Sequence, residues 1–170
     1  MDNAELNRCL KLLLTGDKDA FVKIYEEFKK PIFTVILRIV SSKESAEDIT
    51  QDFFIKLYNK PPKEKIHNPR AWLFKVARNM AIDHLRSMSY FETLDEDLNY
   101  ESDIAVNIDL ERAMQGLERE EREIVTLHLN CELTFSEISK ITGLSLPSVY
   151  RRYQKALKSL KKQLQGGYYG

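Results

Sequence analysis

A chain of 170 residues is long enough for one domain of ordinary size or two small ones, and either can bury a core. Lys and Arg number 26, as do Asp and Glu, so a net charge of zero neither requires nor forbids a polyanionic partner. Two cysteines, Cys9 and Cys131, are too few for a disulfide framework. With no apolar run near about 20 residues and no signal peptide, the chain reads as soluble, reduced and cytoplasmic, without membrane insertion.

Apolar residues recur at helical spacing almost throughout, and no stretch keeps a two-residue alternation between turn signals, so an all-α fold is expected. A first helix is predicted over Asn3 to about Leu14, stopping at Gly16. Asp17 then caps a second that carries Phe21, Ile24, Tyr25 and Phe28 inward, and Pro31 is expected to break or kink it before the core run IFTVILRIV. Ser41 and Glu44 have capping-box spacing ahead of SAEDITQDFFIKLY, where Ile49, Phe53 and Leu57 form an apolar stripe beside Asp48, Gln51 and Asp52. Three prolines make KPPKEKIHNP a loop, after which Asn68 caps and Pro69 opens the helix RAWLFKVARNMAIDHLRS. Its apolar side is expected to hold Trp72, Val76 and Ile82, leaving Arg70, Arg78, Asn79, Asp83 and Arg86 available to a partner.

A second module begins near Val106, with IDLERAMQGL and REEREIVTLHLNC as amphipathic helices parted around Gly116 to Glu118. Thr134 and Glu137 form a capping box for FSEISKIT, Gly143 lets the chain reverse sharply, and Ser145 caps a helix running to about Leu164. The terminal GGYYG reads as a tail. His128 and Cys131 share a helical face, but too few further ligands lie nearby for a metal site, so both read as structural and no cofactor is implied.

Charge is segregated along this order. From Lys60 to Arg86 there are seven basic and two acidic residues, a net of +5; from Ser87 to Glu111 eight acidic and no basic ones, −8; from Ile138 to Gln165 seven basic and no acidic ones, +7. Two basic modules flanking an acidic linker is the layout of two anion-binding units joined by a segment that avoids phosphate.

A short helix, a glycine turn and a second capped helix form the helix-turn-helix pattern, whose second helix lies in the major groove with its early residues at base edges. Val149, Tyr153, Ala156, Leu157 and Leu160 fall on one face, set to pack on Ile138, Ile141 and Leu144, while Ser148, Tyr150, Arg151, Gln154, Lys155 and Lys158 fall on the other. Arg bridges the two acceptors of guanine, Gln pairs with adenine, and Lys or Ser holds phosphate, so Arg151, Gln154 and Lys155 are the base-reading candidates. Arg152 lies at the rim and is expected on the DNA backbone.

SAEDITQDFFIKLY followed by NPRAWLFKVARNMAIDHLRS resembles conserved region 2 of the sigma-70 family, and LEREEREIVTLHLNCELTFSEISKITGLSLPSVYRRYQKALKSL resembles its region 4. The short acidic linker leaves no room for a region 3 domain, which is the layout of the extracytoplasmic function (ECF) sigma factors. The resemblance implies region 2 over residues 1–88, a linker over 89–105, region 4 over 106–165 and a tail over 166–170. It implies a non-enzymatic factor that gives bacterial core RNA polymerase its promoter specificity. Asp48, Gln51, Asp52 and Phe53 would dock the clamp of the largest polymerase subunit.

The loop after Lys60 and the following helix would open the -10 element and capture bases of the non-template strand. Lys63, Lys65, His67 and Asn68 would line a loop pocket, and Arg70, Lys75, Arg78, Asn79 and Arg86 would track phosphates. Trp72 is expected in the core rather than on a base, and Asp83 to orient Arg78 or Arg86. The second module would bind the -35 element through Ser148, Tyr150, Arg151, Arg152, Gln154, Lys155 and Lys158, and the flap of the second-largest subunit through its earlier helices. Pro147 and Ser148 replace a common Gly-Thr pair, and Tyr150 a common basic residue, so the -35 preference is expected to depart from the family's. An anti-sigma factor wedged between the domains is a further partner implied by the resemblance.

Two rivals stand beside this reading. One is a helix-turn-helix regulator that does not associate with core polymerase. The other is an enzyme acting on DNA, for which Asp95, Glu96 and Asp97 are clustered but lack neighbouring cations.

Overall fold

Eight helices and no strand are found among the described residues, 1–91 and 108–166, of the computed structural model. They form two units. The first comprises α1 (Asn3–Leu13), α2 (Lys18–Val40), α3 (Lys43–Asn59) and α4 (Pro69–Phe91); the second comprises α5 (Ile108–Gln115), α6 (Arg119–Leu129), α7 (Phe135–Thr142) and α8 (Leu146–Gly166). The expected linker and its Asp95, Glu96 and Asp97 lie outside the described residues from residue 92 onward, whereas residues 89–91 prolong α4. No helix among the described residues is long and apolar enough to cross a membrane.

In the first unit α2 and α4 pack on each other, with α1 and α3 against both. Ile24, Phe28, Ile32 and Ile36 of α2 are fully buried, as are Phe53 of α3 and Leu73, Phe74, Ala77 and Ala81 of α4. Helix starts are set by short side chains that accept otherwise orphaned amides, each contributing about 1 kcal/mol. Asp17 Oδ1 accepts from the Ala20 amide at 2.8 Å and Asn68 Oδ1 from the Ala71 amide at 3.1 Å.

The sequence expectations need correction at four places here. Helix α2 runs through Pro31 without ending, so of the break or kink expected there the break does not occur. An interior proline costs about 3 kcal/mol, but burial of each large aliphatic side chain contributes about 1.5–3 kcal/mol. With Ile24 and Phe28 before Pro31 and Ile32, Val35, Ile36 and Ile39 after it all buried, one continuous helix outweighs the break. Ser41 does not cap α3; it ends α2 in the left-handed region at φ 56°, and Ser42 is the cap, accepting from the Ser45 amide at 3.2 Å.

The buried stripe of α4 is turned one position from that expected: Leu73, Ala77 and Ala81 face in, while Trp72, Val76 and Ile82 are half-buried. The side against the core pairs two large residues, Leu73 and Phe74, with two small ones, Ala77 and Ala81, which carry no signal in a pattern of large apolar residues. Tyr25 is likewise outward, on an exposed flank of α2.

The second unit packs α5, α6 and α7 on α8. Ile124 and Leu127 of α6, Leu133, Ile138 of α7, and Val149 and Ala156 of α8 make its core, with Tyr153 and Leu160 alongside; Leu144 and Leu157 are only half-buried. The capping box is present in both directions, Glu137 N donating to Thr134 Oγ1 at 3.2 Å and Thr134 N to Glu137 Oε2 at 2.7 Å. Gly143 ends α7 at φ +75°, a conformation that costs glycine nothing, and Ser139 Oγ donates to the Leu144 carbonyl at 2.6 Å across the turn. Ser145 Oγ accepts from the Ser148 amide at 3.3 Å, starting α8 as expected. Helix, glycine turn and capped helix are thus all in place.

Candidate functional site

Three surfaces carry the candidate residues. On α3, Asp48, Gln51 and Asp52 are exposed, one helical turn apart, and form a small acidic face. Phe53 is not on it: its ring is 1% exposed and stands edge-on to Phe54 at 5.0 Å, inside the core. The apolar surface beside the acids comes instead from a groove of about 960 Å³ between α2 and α3, lined by Phe21, Val22, Tyr25, Phe33, Phe54 and Ile55, with Gln51 on its wall. Sequence periodicity misses this groove because it points Tyr25 inward, and because Ile55, half of its side chain in water, belongs to no apolar stripe.

The second surface is the loop between α3 and α4. Lys63, Lys65 and His67 are exposed on it. Asn68 turns to the α4 start, where it caps Ala71 and accepts from Asn3 Nδ2 at 3.4 Å. Further along α1, Asn7 ties the middle of the loop down: Asn7 Nδ2 donates to the Ile66 carbonyl at 2.8 Å, and the Ile66 amide donates to Asn7 Oδ1 at 3.2 Å. A pair separated by 59 residues leaves no local signal, so Asn7 is invisible to sequence pattern. Replacing Asn7 with alanine is expected to loosen the loop by about 1–3 kcal/mol, the net value of its two hydrogen bonds. Native-state hydrogen exchange at the Ile66 amide would show faster exchange, and an unchanged rate would refute the tie.

On α4 the cations divide. Arg70 is held down, its guanidinium 5.4 Å from the Phe28 ring centroid and donating to the Met1 carbonyl at 3.4 Å. Arg86 pairs with Asp83 at 3.6 Å, as expected for that carboxylate. Lys75 and Asn79 are exposed one turn apart, and Arg78 is half-buried. Trp72, expected in the core, keeps part of its ring at the surface of the same helix.

The third surface is the outer face of α8. Tyr150, Arg151, Gln154, Lys155 and Lys158 are exposed there and Ser148 is half-buried. Arg151 Nη2 lies 3.5 Å from Ser148 Oγ, a loose contact that leaves the guanidinium in water. Tyr150 stands edge-on to Phe135 at 5.7 Å, and behind it His128 stacks on Phe135 at 4.4 Å with Nδ1 at 2.8 Å from the Leu133 carbonyl. His128 is therefore a packing residue, and among the described residues no group of three or more His, Cys, Asp or Glu is placed to hold a metal.

Two α8 cations lean on the start of α6. Arg152 pairs with Glu120, and Lys155 Nζ lies 2.8 Å from Glu121 and 3.6 Å from Glu118. Contact with the Glu121 carboxylate, with Glu118 adding to it, raises the Lys155 pKa above its usual value. Glu121 is 3% exposed, so a cation beside it offsets the cost of a buried charge. Arg152 at the rim agrees with the sequence expectation; the partners of Lys155 lie on another helix, where no sequence pattern points to them.

Comparison with known proteins bears on both units. Residues 24–89 match Sigma-70 region 2 and residues 107–160 match Sigma-70, region 4. The ECF RNA polymerase sigma factor SigW of Bacillus subtilis is 25% identical over 94% of this chain and 96% of its own, and SigM of the same organism 28% identical over 81% and 93%. Among solved structures, the sigma factor RpoE of Bartonella quintana, in complex with the anti-sigma factor NepR, superposes with a TM-score of 0.71 at 20% identity, covering 88% of this chain and 98% of that one. CnrH, in complex with the cytosolic domain of CnrY, gives 0.67 at 16% identity, covering 95% and 98%. With both conserved regions present in order and full-length relatives of that kind, the chain belongs to the sigma-70 family and to its ECF group.

Proposed function

We propose that this chain directs bacterial core RNA polymerase to promoters as an ECF sigma factor, without catalysis or cofactor of its own, in the cytoplasm. The observation that carries the reading is the presence in one chain of a region 2 bundle and a region 4 helix-turn-helix unit. Residues 1–88 bind core and the -10 element, 106–165 the -35 element, and 89–105 serve as an acidic linker that repels phosphate. The acidic face of Asp48, Gln51 and Asp52, beside an apolar groove, suits a basic clamp surface of the largest subunit. Lys63, Lys65, Lys75 and Asn79 meet the -10 strand, with Trp72 exposed enough to stack on a base. Arg151 and Gln154 read -35 bases, Lys158 and Ser148 hold phosphates, and α5 and α6 meet the flap of the second-largest subunit. An anti-sigma factor is the expected inhibitor, as two structural neighbours were solved with such a partner or a cytosolic partner domain.

Run-off transcription with core polymerase on a genomic fragment library tests the whole reading: promoter-dependent transcripts are expected, and none would overturn it. DNA binding without core binding would favour the stand-alone regulator. Within that assay Asp52→Ala is expected to weaken core association about 1.4- to 5-fold, the range of an exposed ion pair, and to leave -35 binding by the free chain unchanged.

A further inference from the structure

We infer that Tyr150 is a specificity-determining residue of the second unit: its ring takes the C5 methyl of one thymine in the -35 element, so the chain selects an A·T pair there. The inference rests on the reading of α8 as the -35 recognition helix and deepens it. It assigns to one side chain a kind of contact that the polar candidates Arg151 and Gln154 do not make.

Tyr150 lies in the second turn of α8 and is 53% exposed. Leu146 and Pro147, one turn before it, are exposed as well, so the leading flank of the helix is apolar, whereas its outermost line carries Arg151, Gln154 and Lys158. A helix laid in the major groove meets two kinds of base feature. Hydrogen-bonding edges are matched by Arg and Gln. The thymine methyl is the apolar feature of that groove, and it lies on the side nearest its own strand, where a residue on the flank of the helix reaches it.

The ring is braced before any DNA arrives. Tyr150 stands edge-on, at 5.7 Å, to Phe135 at the start of α7. Phe135 is itself stacked on His128 at 4.4 Å and tilted against the buried Tyr153 at 5.0 Å. His128 is fixed in turn, its Nδ1 donating to the Leu133 carbonyl at 2.8 Å. An aromatic side chain free to swing loses rotamer freedom on binding, and one already leaning on α7, with α6 behind it, loses less. Edge-to-face packing on Phe135 leaves the rest of the ring to meet a methyl group.

The test uses holoenzyme made from the full chain and core polymerase, with promoter duplexes recovered by run-off transcription. Each thymine of the -35 element is replaced in turn by deoxyuridine, which removes the methyl and nothing else. Wild type should bind about 4-fold more weakly at one such replacement, the effect of one buried CH₂-sized group. Y150A should bind the thymine and deoxyuridine forms of that duplex equally, and Y150F, which keeps the ring, should still separate them. Both substitutions fall on an exposed position, and unchanged thermal melting by circular dichroism confirms that the variants fold. Wild-type binding indifferent to every replacement, or discrimination that survives in Y150A, overturns the inference and leaves the -35 reading intact. Y150F behaving like Y150A also overturns it, since the hydroxyl would then make the contact. Absence of any promoter binding by the holoenzyme overturns both.

Discussion

Arg151→Ala is expected to lower affinity for the -35 element about 5- to 150-fold, the value of one bidentate arginine–guanine contact, and to relax base preference at the position it reads. The expectation rests on what separates the two adjacent arginines. Arg151 is exposed and only loosely touches Ser148, and among the described residues it pairs with no carboxylate. Arg152 is already engaged by Glu120 on α6. Arg152→Ala should therefore act mainly by loosening α8 from α6, with a milder and sequence-independent loss of binding. Systematic single-base variants of the -35 element, titrated against both proteins, separate the outcomes. A uniform loss in Arg151→Ala across all variants would show that it contacts backbone only.

The other large effect is expected in the first unit. Phe74→Ala should cost about 3–5 kcal/mol, the usual range for removing a buried phenyl ring. Phe74 is fully buried and packs edge-on to Phe28 at 6.1 Å, and Phe28 in turn carries the Arg70 guanidinium on its face. The loss therefore falls where α2 meets α4, its first turn included. Hydrogen exchange should show protection falling across α2 and α4 while α6 and α8 keep theirs, since those helices belong to the other unit. An equal loss of protection in α6 and α8 would show that the two units unfold together.

What can be read from the sequence follows from how local the causes are. Asp17, Asn68, the Thr134–Glu137 box, Gly143 and Ser145 act within three or four residues of themselves, and each sits where the pattern places it. Pro31 is a local signal that a nonlocal sum overrides, because the side chains buried on either side of it are buried against other helices. The rotated face of α4 has the same origin: Ala77 and Ala81 look neutral in a pattern of large apolar residues, yet they allow α4 to approach the core.

Among the candidate site residues, exposure is legible for Asp48, Asp52, Arg151 and Gln154 because helix periodicity determines it. Engagement is not. Phe53 points into the core, Arg70 is held on Phe28, and Lys155 lies against Glu118 and Glu121, in each case through partners that no local pattern reveals. Asn7 escapes sequence reasoning for the same reason: only the folded bundle brings α1 beside the loop.

Trp72 gives the protein a built-in optical reporter. It is the sole tryptophan of the 170 residues, and it stands half-buried on α4 between the held Arg70 and the exposed Lys75. Indole emission therefore originates in the first unit alone. The second unit, α8 included, has tyrosines but no tryptophan and adds nothing to that signal under selective excitation. One half of the unlabelled, unmodified chain can thus be followed by its own light while the other stays dark.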